Sequence, residues 1–82
     1  MRMARFYFDL HECGTVIEDE DGVERSGVHN LRDEAVAAAR DIMCDELTRG
    51  HLCLSCHIAV RDESNDTILT VRFKDAVNIT GE

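Results

Sequence analysis

Thr15-Val-Ile-Glu-Asp-Glu-Asp-Gly22 and Ile58-Ala-Val-Arg-Asp-Glu-Ser-Asn-Asp66 are two versions of one pattern, a strand-like run that ends in an acidic turn. A single Ala-rich stretch with helical spacing lies between them. Two strand pairs separated by one helix specify a small sheet with that helix packed on it. Working outward from the first turn, Arg5 to His11 alternates cleanly, with Phe6, Phe8 and Leu10 pointing one way and Tyr7, Asp9 and His11 the other. That is the period of a half-buried strand. Glu12-Cys13-Gly14 turns the chain, and Thr15 to Glu18 returns. Asp21-Gly22 is a strong turn dipeptide because glycine accepts positive φ. Val23-Glu24-Arg25 adds a short further run before Ser26-Gly27 breaks it.

Asn30 is placed to cap a helix of roughly Leu31 to Leu47, its side-chain oxygen accepting an amide of the first turn. Asp33 and Glu34 suit the positive end of the helix dipole. Leu31, Ala35, Ala38, Ala39, Ile42 and Met43 form one apolar stripe, and the alanines allow close approach to a sheet. Arg49 suits the negative end and Gly50 stops the helix. Leu52 to Arg61 then alternates, with Leu52, Leu54, Cys56, Ile58 and Val60 inward and Cys53, Ser55, His57, Ala59 and Arg61 outward. Ser64-Asn65-Asp66 turns, and Thr67 to Asp75 returns with Leu69, Val71 and Phe73 inward. Val77 and Ile79 read as an anchoring pair in the tail.

The expected fold is α+β, in the order β-β-α-β-β: a four-stranded, mainly antiparallel sheet with the helix on one face. Residues 1–82 form a single domain, since proline is absent and no linker composition appears. The first and third strands are expected as antiparallel neighbours at the sheet centre. The other sheet face is left open, carrying Tyr7, Ala59, Ile68 and Thr70 among the charged residues Asp9, Arg61 and Arg72.

A domain of this size buries only about 60–65% of its unfolded surface, so self-association is one remedy for a small core. The net charge of −8 argues against nucleic acid and anionic membranes, and favours a basic protein as partner. No apolar run reaches the roughly 18 residues of a membrane span. Asp9 interrupts the apolar start and no small-residue cleavage site follows, so the opening does not read as a secretory signal. A cytoplasmic location follows as the expectation, with the four cysteines, Cys13, Cys44, Cys53 and Cys56, kept reduced.

Cys53-Leu-Ser-Cys56-His57 matches the C-x-x-C-H haem attachment pattern. Inside an alternating strand its two cysteines would project to opposite faces, so no haem is expected. A redox C-x-x-C belongs at a helix start, where the dipole lowers the thiol pKa, and a strand interior gives no such lowering. His11 with Cys13, and His51 with Cys53, are two-residue spacings that share a strand face and meet at one end of the expected sheet. Two Cys and two His is a legitimate zinc set, with the spacing within each pair shorter than usual. Glu18–Asp21 and Asp62–Asp66 do not fit the calcium loop of an EF-hand, and turn chemistry explains their composition. Asp9 and His11 share a face, yet no nucleophile or oxyanion site accompanies them.

Arg5-Phe-Tyr-Phe-Asp-Leu-His11, followed by Gly14-x-Val-Ile-x-Asp-Glu-Asp-Gly22, resembles the opening of a family of small bacterial proteins classed only as a domain of unknown function. Its members open R-x-F-F-D-x-H and continue into a D-x-E/D-G turn and an Ala- and Arg-rich helix. Val60-Arg-Asp-Glu63 and Leu69-Thr-Val-Arg-Phe-Lys-Asp-Ala76 fit the same pattern, so the resemblance spans nearly the whole chain. It implies the same strand and helix order, and no activity, cofactor or catalytic residue. It also implies ordinary strand residues where this chain has Cys and His in its third strand. The hairpin, acidic turn and helix are also similar to the N-terminal half of HicB-type antitoxins, which neutralise a small basic ribonuclease.

The functional expectation is a non-enzymatic protein-interaction module, self-associating as a homodimer without a cofactor. Its expected interface is Tyr7, Asp9, Ala59, Arg61, Ile68, Thr70 and Arg72. The alternatives are an antitoxin-like partner of a small basic protein, and a zinc protein using His11, Cys13, His51 and Cys53.

Overall fold

The computed structural model describes residues 3–12 and 14–81. Cys13, and with it one member of the expected zinc set, lies outside the described residues. The elements run β1 (Ala4–Glu12), β2 (Thr15–Ile17), β3 (Val23–Arg25), α1 (Leu31–Thr48), β4 (His57–Arg61), β5 (Thr67–Arg72) and α2 (Phe73–Ala76). The architecture is α+β, a mostly antiparallel open sheet with one main helix packed against it. β1 and β4 are antiparallel neighbours at the centre, with Tyr7 opposite Arg61 and His11 opposite His57. β4 in turn pairs antiparallel with β5, which forms an edge.

The sheet has five strands where the alternation predicts four, because the strand returning along β1 is interrupted. Leu10 faces Ile17 and Phe6 faces Val23, so five residues, Glu18 to Gly22, stand opposite the three from Tyr7 to Asp9. The surplus loops outward and splits the return into β2 and β3. Gly22 closes this loop at φ 69°, a conformation in which a Cβ would lie 2.9 Å from the Phe6 carbonyl oxygen and from side-chain carbons of Arg5 and Tyr7.

Helix α1 buries Leu31, Ala35, Ala39 and Met43 on the sheet, and the stripe continues one turn further through Glu46 than apolar spacing indicates. Phe6, Ile58, Val60 and Val71 meet it from the strands. Phe73 and Ala76 complete the core from α2, so the chain after Arg72 is a helical turn and not the end of a strand. Leu31, Val60, Val71 and Phe73 are all less than 2% exposed, and full burial of such a side chain contributes about 1.5–3 kcal/mol. Asn30 occupies the N-cap but makes no side-chain capping bond. The C-terminus is firmer: His51 N–H donates to the Glu46 carbonyl and Gly50 N–H to the Leu47 carbonyl, each 3.0 Å, with Gly50 at φ 78°. That is a Schellman stop.

Residues 51 to 56 depart from the expected strand. They form an irregular crossing, and β4 begins only at His57. The chain leaving α1 must pass round the end of the sheet before it can pair with β1. Period-2 alternation therefore misassigns this segment: Cys53 and Cys56 are both buried, while Leu52 and Leu54 are exposed. Val77 and Ile79 are exposed as well and anchor nothing in the core.

Candidate functional site

The face of the sheet away from α1 is built from alternate residues of the two central strands. Tyr7, Asp9 and His11 on β1 stand opposite Arg61, Ala59 and His57 on β4. Thr70 and Arg72 extend the same face onto β5, opposite Ala59 and His57. Sequence alternation places these residues correctly, because a register pair shares a face.

The centre of this face is a closed polar network. Asp9 is 5% exposed. Its Oδ2 accepts from Arg61 Nε at 2.6 Å, and its Oδ1 from the Asp19 N–H at 2.9 Å. Arg61 also donates to the Asp19 carbonyl at 3.4 Å and lies over the Tyr7 ring, 4.5 Å from its centroid. Asp19 itself accepts from the Phe8, Asp21 and Gly22 N–H groups, at 3.1, 3.3 and 3.1 Å. Its carboxylate thus takes the ladder bond that the outward loop leaves open at Phe8. The Asp9 hydrogen bond, and the nearby negative charge, raise the Arg61 pKa.

This network changes the reading of the charged interface residues. Asp9 and Arg61, both in the expected interface, pair with each other inside one chain. Arg72 likewise pairs with Asp75 at the start of α2, at 2.8 Å. Ala59 is buried beneath its neighbours. Tyr7 is half-buried, and Thr70, Arg72 and Ile68 are exposed. Ile68 sits where the β4–β5 register slips between Val60 and Arg61. It lines a groove with Val28, Leu31, Arg32 and Leu69 at the start of α1, so it belongs to the sheet edge more than to the open face. The bulge is what moves it, and strict alternation gives no sign of a bulge.

At one end of the face the His11 and His57 rings stack, with centroids 4.4 Å apart and planes 13° from parallel. Burial lowers the His57 pKa, and the charge of His11 lowers it further. Both rings border a shallow pocket with Glu12, Thr15 and Ser55. Of the expected zinc set, Cys13 lies outside the described residues, and His51 and His11 border separate pockets. His51 and Cys53 border a different pocket, together with Glu12, Glu46 and Arg49. The two cysteines of the C-x-x-C-H match do not part to opposite faces as alternation predicts; both are packed into the core. Glu46 was missed by pattern reading. A Glu at the next helical position after Met43 is normally solvated, and the only sequence signal was that position.

A family model described as a domain of unknown function (DUF6894) matches residues 5–74. No curated protein and no solved structure matches the chain.

Proposed function

The chain belongs to the DUF6894 family over residues 5–74, and from that premise we propose that it is a non-enzymatic interaction module that associates with a second copy of itself through the open sheet face. One observation carries this reading: the charges of the face are already answered within the chain, Asp9 by Arg61 and Arg72 by Asp75. A face neutralised in this way loses less on desolvation than one with unpaired ions. Tyr7, lying along the Arg61 guanidinium, adds a flat amphipathic surface of the kind that favours interfaces. Among the described residues no helix covers the face, and a two-fold contact would repeat the same patch on both copies. The reading as non-enzymatic is supported by the engagement of Asp9, whose two carboxylate oxygens are both occupied and which is therefore a poor base or nucleophile.

Light scattering at micromolar concentration tests it. The expected result is a dimer that Thr70→Lys, at the exposed part of the face, dissociates, and that Ile68→Lys at the edge groove leaves intact. A monomeric wild type removes the proposal. A dimer broken only by Ile68→Lys moves the contact to the β5 edge.

The net charge of −8 favours a second reading, an acidic partner of a small basic protein, as in the HicB-type antitoxins. That reading requires a stable complex on co-expression with a basic protein encoded beside it, and weakening of the complex by salt.

A further inference from the structure

We propose that His11 and His57 form a chelating site for a late first-row divalent metal ion such as Zn2+, Ni2+ or Cu2+. The two residues stand directly opposite each other on β1 and β4, the two central strands. Directly opposed residues place their Cβ atoms about 4.5–5.5 Å apart on a backbone held by the ladder. Their rings already lie 4.4 Å apart. Two imidazole nitrogens bound at about 2.0–2.1 Å to one tetrahedral ion are separated by about 3.3 Å. Rotation of each ring about its Cβ–Cγ bond, with little movement of the strands, covers that difference. Among the described residues neither ring is tied by a hydrogen bond that this rotation would break. A side-by-side histidine pair on a rigid frame is pre-organised for chelation, because its conformational entropy is lost on folding and not on binding.

The surroundings suit a cation. Glu12 borders the same pocket, which is open to solvent on the outer side and leaves room for water in the remaining coordination positions. Arg72, opposite His57 on β5, has its guanidinium held by Asp75. The whole chain carries −8. Neutral imidazole selects zinc, nickel and copper over the hard ions calcium and magnesium. The site differs from the His11, Cys13, His51, Cys53 set in its second histidine, which sequence spacing alone did not bring to His11. It lies at one end of the open face and takes both histidines from one chain, so it needs no residue of a second copy.

The test is a zinc chloride titration of the full chain, followed by calorimetry and by imidazole nitrogen NMR. The expected result is saturable binding of one ion per chain, with the ring nitrogens of His11 and His57 shifting together and those of His29 unmoved. His11→Gln and His57→Gln, each checked for native circular dichroism, should each remove the saturable phase, and His51→Gln should keep it. The NMR readout uses the unsubstituted chain and so does not depend on either variant folding. Zinc binding confined to the thiols or to His51, with His11 and His57 unshifted, overturns the proposal. So does the lack of saturable binding, or binding that survives both substitutions. Magnesium chloride at the same concentration should leave both rings unmoved.

Discussion

The two acidic turns have nearly the same composition and do different work. In the first, Asp19 turns inward: it accepts from three backbone N–H groups, one of them on β1, and its own N–H reaches the buried Asp9. In the second, Asp62 caps only its own loop, accepting from Ser64 and Asp66 N–H at 2.9 and 3.1 Å. The Asp62 and Asp66 backbones close that hairpin, with Asn65 at φ 68°. The first turn is a tertiary staple between strand return and sheet centre; the second is a local hairpin. Composition does not separate them. What separates them is the number of residues facing the partner strand, which forces the first turn outward and leaves a ladder position for a side chain to fill.

The largest test of this contrast is steric. Gly22→Ala puts a Cβ 2.9 Å from a backbone oxygen and into positive φ, and should cost about 3 kcal/mol in urea unfolding. In the second turn, Asn65→Gly keeps the positive φ and gives up only the exposed bond that Asn65 Oδ1 accepts from Arg61 Nη1 at 3.0 Å, so the loss should stay within about 1 kcal/mol. Equal losses at the two sites would break the comparison.

The next test removes the ion that answers Asp9. Arg61→Met leaves the buried Asp9 carboxylate, among the described residues, with the Asp19 N–H alone, and removal of one partner of such a pair is strongly destabilising. The urea midpoint should fall well below that of Arg72→Met, whose Asp75 partner is exposed. Similar midpoints would show that the Asp9 pair is no more than a surface bridge.

A smaller contrast compares the two aspartates directly. Asp19→Ala strands a part-buried Phe8 N–H and frees the loop, an expected loss of about 2 kcal/mol. Asp62→Ala strands only exposed amides that water can satisfy, an expected loss under about 1 kcal/mol. Hydrogen exchange sharpens the point: Phe8 should lose protection in the first variant and keep it in the second.

The smallest expected effect lies where the first region is fastened to the helix. Arg25 on β3 makes a forked contact with Glu34, with Nε and Nη2 donating at 2.9 and 2.6 Å. Hydrogen bonding from Arg25, with its charge, holds the Glu34 pKa below its usual value. The unfolded chain therefore binds the proton more readily, and the contribution is present above the ordinary glutamate pKa and lost as pH falls through the lowered one. Glu34→Gln should be slightly less stable than the parent at neutral pH, and the two should converge in acid. A gap that widens on acidification would contradict the sign.

The central frame was legible in the residues. Alternation in Arg5–His11 and Ile58–Arg61 gives the right faces, and the alanines of α1 mark the side that packs. Three features were not legible, each because a longer-range constraint outweighs local period. The crossing at 51 to 56 is shaped by the path from the end of α1 to the sheet, so the buried Cys53 looked exposed. Ile68 is displaced by a bulge that leaves no mark on composition. Asp9 and Arg61 read as separate interface ions because the expected pairing of their strands carries no register, and it is the register that sets them diagonally across from each other. The His11–His57 contact has the same origin: its members were visible, and their meeting was not.

That central register has a consequence in time. β1 is separated from its central partner β4 by β2, β3 and the whole of α1, so during synthesis Asp9 waits for Arg61. Local pieces, the helix and the two turns, can form as they emerge, but closing β1 on β4 requires a loop that spans much of the chain. Until that closure, Phe6 and an uncompensated Asp9 sit on a strand edge that lacks its neighbour. The nascent chain is therefore open to misassociation at β1 until β4 follows it, and the step that closes the sheet centre is a non-local one.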